Sequence, residues 1–265
     1  MIDYTNIPST SAEPEASSMI ETFRAIGYSI ETAIADIIDN SITAGTKNIW
    51  VDYNWHGSKT TLSILDDGIG MNNEQLIQAM RPGSRNPLEE RSSNDLGRFG
   101  LGLKTASFSQ SRKFTVFSKA KDYKPVFWTW DLDYVNQAQA WKLIRHIPNE
   151  EIWTQKIETL ETGTCVVWWD LDRLTKGTNE DNVEAKSKFL GIMDSVKSHL
   201  SMVFHRYMDE GLKIFFRDRQ IKSWDPFMIG IDGLQTKPET RLEGGSIRSK
   251  GFVLPHRSKL SAEQY

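Results

Sequence analysis

Apolar residues at helical spacing distinguish the early part of the chain. Between Ser29 and Ala44 they recur every three or four positions, which predicts an amphipathic helix with one face in the core. Ser29 is suited to the N-cap of this helix, and Gly45 to its C-terminal stop. A shorter helix is predicted at residues 16–25, after a polar arm at residues 1–15.

Short runs of β-branched and aromatic residues predict strands in the next part of the chain. Residues 48–55 and 60–65 form a predicted hairpin, and a short helix is predicted at residues 73–80. A polar stretch at residues 81–95 has the length of a functional loop, often a lid. A helix is predicted at residues 101–110, followed by strands at residues 113–118, 126–132, 141–147 and 164–169. This order predicts an α+β layered sandwich, because it lacks the alternation of βαβ units.

A second unit is predicted from residue 182 onward. Residues 183–207 carry the apolar stripe of a long helix, and strands are predicted at residues 212–216, 221–224 and 247–254. Residues 261–265 resemble the first turn of another helix, so we expect the protein to continue beyond Tyr265. The expected domains are a flexible arm at residues 1–15, a first domain at residues 16–181, and a linker helix with the beginning of another domain at residues 182–265.

Composition narrows the class of protein. The net charge of −3 gives no overall electrostatic footprint for nucleic acid. Basic residues do cluster near the end of the chain, at Arg241, Arg248, Lys250, Arg257 and Lys259, but such a run is usually a solvated surface. The single cysteine excludes an internal disulfide and fits a reducing compartment. No apolar run reaches the length of a membrane span and the N-terminus lacks a signal-peptide pattern, so we expect a soluble cytoplasmic protein without a membrane partner.

The first chemical motif lies on the predicted helix that follows Ser29. Asp36 and Asn40 are four residues apart, so both side chains lie on one helix face. An amide oxygen can join the oxygen ligands of Mg²⁺, and a carboxylate can orient or deprotonate an attacking water. The alternative is an ordinary amphipathic helix whose polar face carries the two residues by chance.

The second motif follows a predicted strand and reads Asp66-Asp-Gly68-Ile-Gly70-Met71. Glycines separated by one residue permit positive φ and allow a ligand to approach the backbone closely. A carboxylate at the strand end can accept a hydrogen bond from an exocyclic amine, such as that of adenine. The alternative is a simple tight turn, since Asp-Gly is common in turns.

The third motif is a glycine-rich loop that runs from Gly97 into a helix containing Lys104. Backbone N–H groups at a helix start, together with a lysine, can hold an anion. A dinucleotide-binding loop would follow a strand inside a βαβ unit, and this loop does not.

In this order and spacing, the three motifs resemble the ATP-binding signature of the GHKL superfamily, which includes gyrase, the heat-shock ninety chaperones, histidine kinases and MutL. A fourth element agrees, since Thr162-Gly163-Thr164 enters a predicted strand as the late Gly-Thr of the superfamily does. The resemblance covers roughly residues 16–170. It implies the Bergerat fold, an α/β two-layer sandwich with ATP held between the sheet and a mobile lid, followed here by the start of a transducer-like α/β domain.

The resemblance also implies roles for individual residues. Asn40 corresponds to the Mg²⁺ ligand, Asp66 to the carboxylate that reads adenine, and Asp36 to the general base. The other residues implied to bind the nucleotide are Ala44, Gly68, Gly70, Met71, Gly97, Arg98, Phe99, Gly100, Leu101, Gly102, Leu103, Lys104 and Thr164. Of these, the glycines of the second motif and Met71 would line the base pocket, Thr164 would support Asp66, and residues 100–104 would hold the phosphates.

Two departures from the superfamily pattern bear on turnover. Asp36 stands where hydrolysing members usually have Glu, and Thr43 replaces the usual Asp of the Asn-x-x-Asp-Ala element. Because Asp is one methylene shorter than Glu, hydrolysis could be slow or absent. Two hypotheses follow: a slow ATPase that works as a conformational clamp, and an interaction module that binds ATP without turnover.

Within the superfamily, the motifs most resemble the MORC group and its bacterial relatives, with the heat-shock ninety chaperones next. The resemblance rests on Ile37-Ile-Asp-Asn-Ser41, on Met80-Arg-Pro-Gly-Ser84-Arg and on residues 97–106. Asp36 disfavours the histidine kinases, which usually have Asn there, and also a protein kinase of the dehydrogenase-kinase kind. The MORC-like resemblance implies an ATP-dependent homodimer, and DNA or defence-system proteins as further partners.

Overall fold

The computed structural model describes residues 5, 7–25, 27–83, 102–148, 150–242, 244 and 247–261. The helices are α1 (Ala16–Arg24), α2 (Ile30–Thr43), α3 (Asn73–Met80), α4 (Gly102–Gln110), α5 (Leu132–Ala138), α6 (Glu150–Glu158), α7 (Asp172–Thr175), α8 (Val183–Val203) and α9 (His205–Asp209). The strands are β1 (Asn48–Asn54), β2 (Thr61–Asp66), β3 (Lys113–Lys119), β4 (Val126–Asp131), β5 (Gly163–Trp169), β6 (Lys213–Phe216), β7 (Arg219–Gln220), β8 (Gln235–Thr236), β9 (Thr240–Leu242), β10 (Ile247–Ser249) and β11 (Phe252–Val253).

A mixed seven-stranded sheet organises the described residues, in the order β4-β3-β5-β2-β1-β6-β7. Most neighbours are antiparallel, and the exception is β6, which pairs parallel with β1. The register places Asp66 of β2 opposite Thr164 of β5. The second motif and the late Gly-Thr element therefore meet at one edge of adjacent strands.

The sheet buries both of its faces, as the alternation of side chains along its central strands shows. One face packs with α1, α2, α4 and α8 in the main core, to which β3 contributes Phe114 and Val116. The next residue, Phe117, points to the opposite face and packs there with Val167 and Trp169 of β5. Helix α6 contributes to this second core, which explains how a sheet without βαβ units can be apolar on both sides.

Helix α2 forms as its sequence predicts. The Ser29 side chain accepts a hydrogen bond from the backbone N–H of Thr32, which satisfies one of the free donors of the first turn. Ala33, Ile34 and Ile38 are completely buried in the main core. The predicted helix at residues 16–25, the hairpin and the short helix before Arg81 are also present, within one or two residues of the predicted bounds.

Two predicted strands are absent from the described structure. Residues 141–147 form only one isolated bridge, between Ile144 and Thr129, and the apolar pattern there reflects Ile147 packing into the second core. The prediction of a strand at residues 221–224 is wrong. A tight turn at Arg217 and Asp218, both at positive φ, reverses the chain after β6, so that the strand pairing with β6 is β7.

Three helices were not predicted, namely α5, α6 and α7. The long predicted helix at residues 183–207 is interrupted at Phe204, where α8 ends and α9 begins. The strand predicted at residues 247–254 is divided into β10 and β11, which pair with different partners. Of the helical turn predicted at residues 261–265, only Ser261 lies among the described residues.

The sheet extends beyond the predicted boundary at residue 182. Helix α8 packs in the main core through Phe189, Met193 and Val196, and β6 joins the sheet beside β1. The division into an ATP-binding domain and a transducer-like domain stays a prediction. Within the described ranges, no helix combines the length and apolarity that crossing a bilayer requires.

The buried arginine Arg24 connects helices α1, α4 and α7. Arg24 of α1 is 5% exposed, and its guanidinium donates to the carbonyl oxygen of Phe108 in α4 at 2.7 Å and to Asp172 Oδ2 in α7 at 2.6 Å. In the described structure the other carboxylate oxygen, Asp172 Oδ1, is buried without a partner. Arg24 is therefore the counter-charge of this partly buried carboxylate.

We expect Arg24→Met to lower the free energy of unfolding by about 3 kcal/mol, because it leaves the Asp172 carboxylate partly buried and unpaired. The matched control is Arg112→Met. Arg112 is also paired, with Glu21 and Asp133, but its side chain is 37% exposed, so its loss should cost about 1 kcal/mol or less. Urea denaturation measures both values, and equal losses would contradict the role assigned to Arg24.

Candidate functional site

One end of the candidate site is built around a buried carboxylate. Asp66 ends β2 and is 5% exposed. Ser41 Oγ donates to its Oδ2 at 2.8 Å, and the backbone N–H of Gly68 donates to its Oδ1 at 2.9 Å. Burial raises the pKa of Asp66 to about 6, although the hydrogen bonds from Ser41, Gly68 and the Thr164 backbone act in the opposite direction. The carboxylate is thus held in one orientation by three separate elements.

The glycines of the second motif are required by close backbone packing. Gly70 has φ +64°, and a Cβ atom there would lie 2.0 Å from the carbonyl oxygen of Lys119. A Cβ on Gly68 would lie 2.9 Å from the Cβ of Ala44 and 3.0 Å from Asp66 Oδ1. Ala44 in turn accepts a hydrogen bond from the backbone N–H of Ile69 at 3.1 Å. The loop therefore lies directly against the end of α2.

A serine of β3 fixes the end of this loop. Ser118 Oγ accepts from the backbone N–H of Met71 at 2.8 Å, lies 3.1 Å from the carbonyl oxygen of Gly163, and is 2.9 Å from Thr164 Oγ1. Met71 is half-buried against the main core. The sequence contained no signal for Ser118, because a single polar residue in a strand has no pattern.

The neighbouring carboxylate, Asp67, has a structural role. Its Oδ1 accepts from Thr46 Oγ1 at 2.5 Å and from the backbone N–H groups of Lys47 and Asn48, and its Oδ2 accepts from Asn48 Nδ2 at 2.6 Å. Burial alone would raise the pKa of Asp67, but these hydrogen bonds together lower it below the ordinary value. Asp67 thereby connects the end of β2 to the loop between α2 and β1.

The other end of the site carries the first motif. Asp36 accepts a hydrogen bond at Oδ2 from the Tyr28 hydroxyl at 2.8 Å. Asn40 is exposed, and its Nδ2 donates to the backbone oxygen of Asp36 at 2.7 Å. A Cβ on Gly102, the first residue of α4, would lie 3.5 Å from Asp36 Oδ2. The first motif and the helix of the third motif therefore meet at Asp36.

A second carboxylate, Asp39, lies one turn after Asp36 on α2. Burial raises the pKa of Asp39 to about 6, and the charge of Asp36 adds to the shift. Sequence reasoning missed this residue, because an acidic residue on the polar side of a helix is unremarkable without knowledge of what packs against it.

The structure places only part of the predicted phosphate loop. Gly97, Arg98, Phe99, Gly100 and Leu101 lie outside the described residues, as does most of the predicted lid. Leu103 packs at the margin of the main core. Lys104 is 3% exposed, and its Nζ donates to the carbonyl oxygen of Ala79, near the C-terminus of α3, at 2.9 Å. Phosphate binding by Lys104 stays a prediction.

The residues present fit a Mg²⁺ ion of the kind that accompanies a nucleotide. Because Asn40 Nδ2 is engaged by the helix backbone, the amide oxygen of Asn40 is presented on the exposed face of α2. Among the described residues no group of three or more His, Cys, Asp or Glu side chains could hold a metal alone. One amide oxygen suits Mg²⁺, which keeps several waters and takes its remaining ligands from phosphates.

Comparison with known families defines the class of protein. Residues 28–164, just over half of the chain, match the family described as Histidine kinase-, DNA gyrase B-, and HSP90-like ATPase. The chain belongs to this family, and so to the GHKL superfamily that its motifs resemble. An ATP-binding domain is therefore present, and the matched residues include all of the first two motifs.

Two curated relatives match a shorter part of the chain. ATPase morc-1 of Caenorhabditis elegans is 30% identical over 88 residues, which are 33% of this chain and 10% of that protein. The DNA mismatch repair protein MutL of Dictyoglomus turgidum is 27% identical over 113 residues, which are 42% of this chain and 20% of that protein. The chain thus corresponds to a small part of each relative, and MORC-like similarity is confirmed over that part.

A solved structure confirms the fold. The ATPase and transducer domains of DNA topoisomerase II from Balamuthia mandrillaris superpose with a TM-score of 0.51 and 16% sequence identity, covering 78% of this chain and 52% of that one. At this identity the likeness concerns the fold alone. The α+β architecture is of the Bergerat type, as predicted.

The raised pKa of Asp66 predicts how stability depends on pH. The unfolded chain has the ordinary value of 3.8 and the folded chain about 6, so the unfolded chain ionises first as pH rises. The free energy of unfolding should therefore fall by roughly 2–3 kcal/mol between pH 4 and pH 6 through this residue.

The difference between wild type and Asp66→Asn isolates this contribution. Asp39, whose pKa is also raised to about 6, acts in both proteins and cancels. Urea denaturation across this pH range should give a steeper decline for wild type than for Asp66→Asn. Parallel curves would show that the folded Asp66 titrates normally.

Proposed function

We propose that this chain binds Mg²⁺-ATP, hydrolyses it slowly, and uses the bound nucleotide to close a dimeric clamp. The observation that carries this proposal is the convergence of three motifs. Asp66 of β2 is bound by Ser41, near the C-terminal end of α2. Asp36 and Asn40 lie on the same helix, and the start of α4 lies against Asp36. The match to an ATPase family over these residues supports the proposal that the bound nucleotide is ATP.

Asp66 is proposed to recognise the adenine. An ionised carboxylate can accept a hydrogen bond from the exocyclic amine, and its orientation is fixed by Ser41 and Gly68. Gly68 and Gly70 leave no side chain between the base and the backbone, and Met71 supplies an apolar contact. Thr164 supports Asp66 across the β2–β5 pair. A base without an amine at this position would bind more weakly, because the buried Asp66 carboxylate would then face it without a donor, which is costly.

The phosphates are proposed to lie between Asn40 and the start of α4. Asn40 would hold Mg²⁺ through its amide oxygen, and the ion would neutralise phosphate charge when bound. The backbone N–H groups of the glycine-rich segment at residues 97–104 are suited to phosphate oxygens, because the free donors at a helix start favour anions. Ala44 lies close to Gly68, where it limits the space between Asn40 and the proposed position of the adenine.

Asp36 is proposed to activate water. Its carboxylate would accept a proton from a water whose oxygen forms a bond to the γ-phosphorus, while the bond from that phosphorus to the β,γ-bridging oxygen breaks, releasing ADP and phosphate. Asp36 lies beside Gly102 and the proposed phosphate region. Its side chain is one methylene shorter than the usual Glu, so the water must approach α2 more closely, and we expect slow turnover.

A second candidate function is ATP binding without turnover. The short carboxylate at Asp36 favours it, since a binding module needs Asp66 and Asn40 but no water-activating group. The two functions differ in a single measurable step, the release of phosphate.

Calorimetry and phosphate release on three variants separate these functions. Wild type should bind Mg²⁺-ATP. Asp66→Asn should weaken binding at least about tenfold, because the amide replaces one carboxylate oxygen with an NH₂ donor that faces the donor of either Ser41 or Gly68. Asp36→Ala should retain binding but lose phosphate release by roughly a hundredfold. Asp36→Glu, which restores the usual length, should release phosphate faster than wild type.

The control is Asp52→Asn, on β1, whose side chain is 49% exposed, pairs with Arg217 and belongs to none of the three motifs. It should bind and hydrolyse as wild type does. Absence of ATP binding by wild type would overturn the proposed function. Equal phosphate release from wild type and Asp36→Ala at background level would favour the binding module, whereas equal release well above background would overturn the role of Asp36.

The dimeric clamp is proposed from the family and from the MORC-like similarity. Light scattering should show a doubled mass when a non-hydrolysable ATP analogue and Mg²⁺ are added, because closure requires the bound nucleotide and not its hydrolysis. Asp66→Asn should remain monomeric under the same conditions. A wild-type mass that stays constant at saturating analogue would contradict the clamp.

We further propose DNA, or proteins acting on it in a defence system, as the partner class. MutL is named as a DNA mismatch repair protein, and the structural neighbour as a DNA topoisomerase. In this chain, exposed Arg241 of β9 lies directly opposite exposed Arg248 of β10. Like charges opposite each other are unfavourable. Glu239, whose Oε1 lies 3.5 Å from Arg241 Nε, neutralises part of this charge, and a DNA phosphate would neutralise more. Adding linear duplex DNA to the light-scattering sample would reveal such binding as a further increase in mass.

A further inference from the structure

A tyrosine outside the three motifs contacts the proposed general base. Tyr28 lies in the connection between α1 and α2, and its hydroxyl donates to Asp36 Oδ2 at 2.8 Å. The same hydroxyl is also hydrogen-bonded to the side chain of Thr105 in α4, whose Oγ1 lies 3.5 Å from the carbonyl oxygen of Gly102. Thr105, Tyr28 and Asp36 therefore form a continuous hydrogen-bonded row from α4 to α2.

The tyrosine is held at both ends. Its ring packs against the main core, and its backbone oxygen accepts from Gln110 Nε2, at the end of α4, at 3.2 Å. Burial raises the pKa of Tyr28, and the hydrogen bond to Asp36 raises it further, so the phenol remains protonated and serves as a donor. Both contacts with α4 connect Tyr28 to the helix that continues the glycine-rich loop.

This arrangement divides the tasks of the two carboxylate oxygens of Asp36. Oδ2 is occupied by the tyrosine and lies beside Gly102. The hydrogen bond restricts rotation about the terminal torsion of Asp36, which is otherwise broad. In the proposed reaction Oδ1 is then the oxygen that accepts the proton of the water. For a carboxylate with a short side chain, such a restriction matters, because small displacements of a reacting group cost large factors in rate.

We propose that Tyr28 is a positioning residue for Asp36, and that Thr105 and Tyr28 together couple the water-activating carboxylate to the helix that follows the glycine-rich loop. This inference rests on the proposed hydrolysis of ATP. Movement of α4 on nucleotide binding would change the orientation of Asp36 through this row, so that the carboxylate is aligned when the phosphates are in place.

The test is Tyr28→Phe, which keeps the ring and removes the hydroxyl. We expect kcat for ATP hydrolysis to fall between about tenfold and about a hundredfold, while KM and the calorimetric Kd for Mg²⁺-ATP change less than twofold. Thr105→Val should also lower kcat, but by a smaller factor than Tyr28→Phe. The control Tyr123→Phe removes the hydroxyl of a tyrosine that is 57% exposed, and it should leave all constants unchanged.

A double-mutant cycle distinguishes positioning from mere support of the fold. In an Asp36→Ala background the additional change Tyr28→Phe should have no further effect on residual phosphate release, because no carboxylate remains to be oriented. A fall of the same factor in both backgrounds would overturn the inference, as would an unchanged kcat in Tyr28→Phe. If Tyr28→Phe does not fold, as judged by thermal melting, Thr105→Val in the same two backgrounds provides the test.

These outcomes separate this inference from the proposed function. Wild type that binds Mg²⁺-ATP and releases no phosphate would overturn hydrolysis, and with it the positioning role. Wild-type turnover that depends on Asp36 but is unaffected by Tyr28→Phe and by Thr105→Val would overturn the positioning role alone.

Discussion

Burial of the Asp66 carboxylate is the constraint on which the rest of the site depends. A buried charge is tolerated only where hydrogen bonds replace its hydration. Its donors come from α2 through Ser41, from the following loop through Gly68, and from β5 through Thr164. These three elements must therefore converge within hydrogen-bonding distance of one residue. The close contacts at Gly70 and Gly163, where a Cβ would overlap neighbouring backbone, follow from that convergence.

Helix α2 serves as the common support of both ends of the site. Its apolar face fixes the helix in the main core, while its polar face carries Asp36 and Asn40, and Ser41 reaches Asp66. Rotation of the helix would displace all of these groups together. The proposed base recognition, metal binding and water activation are thus coupled by rigid packing, and the row through Tyr28 extends this coupling to α4.

Local periodicity predicted the elements whose burial follows a regular repeat. Helix α2 and the β1–β2 hairpin were predicted within two residues of their observed bounds. Helix α2 and the first half of β1 each bury one face at a regular repeat, and β2 is a short, almost completely buried run. Residues 141–147 are apolar for another reason, because Ile147 fills the second core without pairing in the sheet. Helix α6 was missed since only Ile157 of its residues is fully buried, and its weak apolar stripe resembles a polar loop.

The sequence by itself determined the motif order and, through its resemblance, the family and the Bergerat fold. Side-chain type, short spacing and the resemblance also predicted roles for Asp36, Asn40 and Asp66, and these roles stay predictions. Only the tertiary structure showed that Ser118 fixes the Met71 backbone, that Tyr28 contacts Asp36, and that Lys104 contacts Ala79. The physical reason is that these contacts join residues on different elements. A lone hydroxyl or ammonium group has no periodicity, and its partner is chosen by packing.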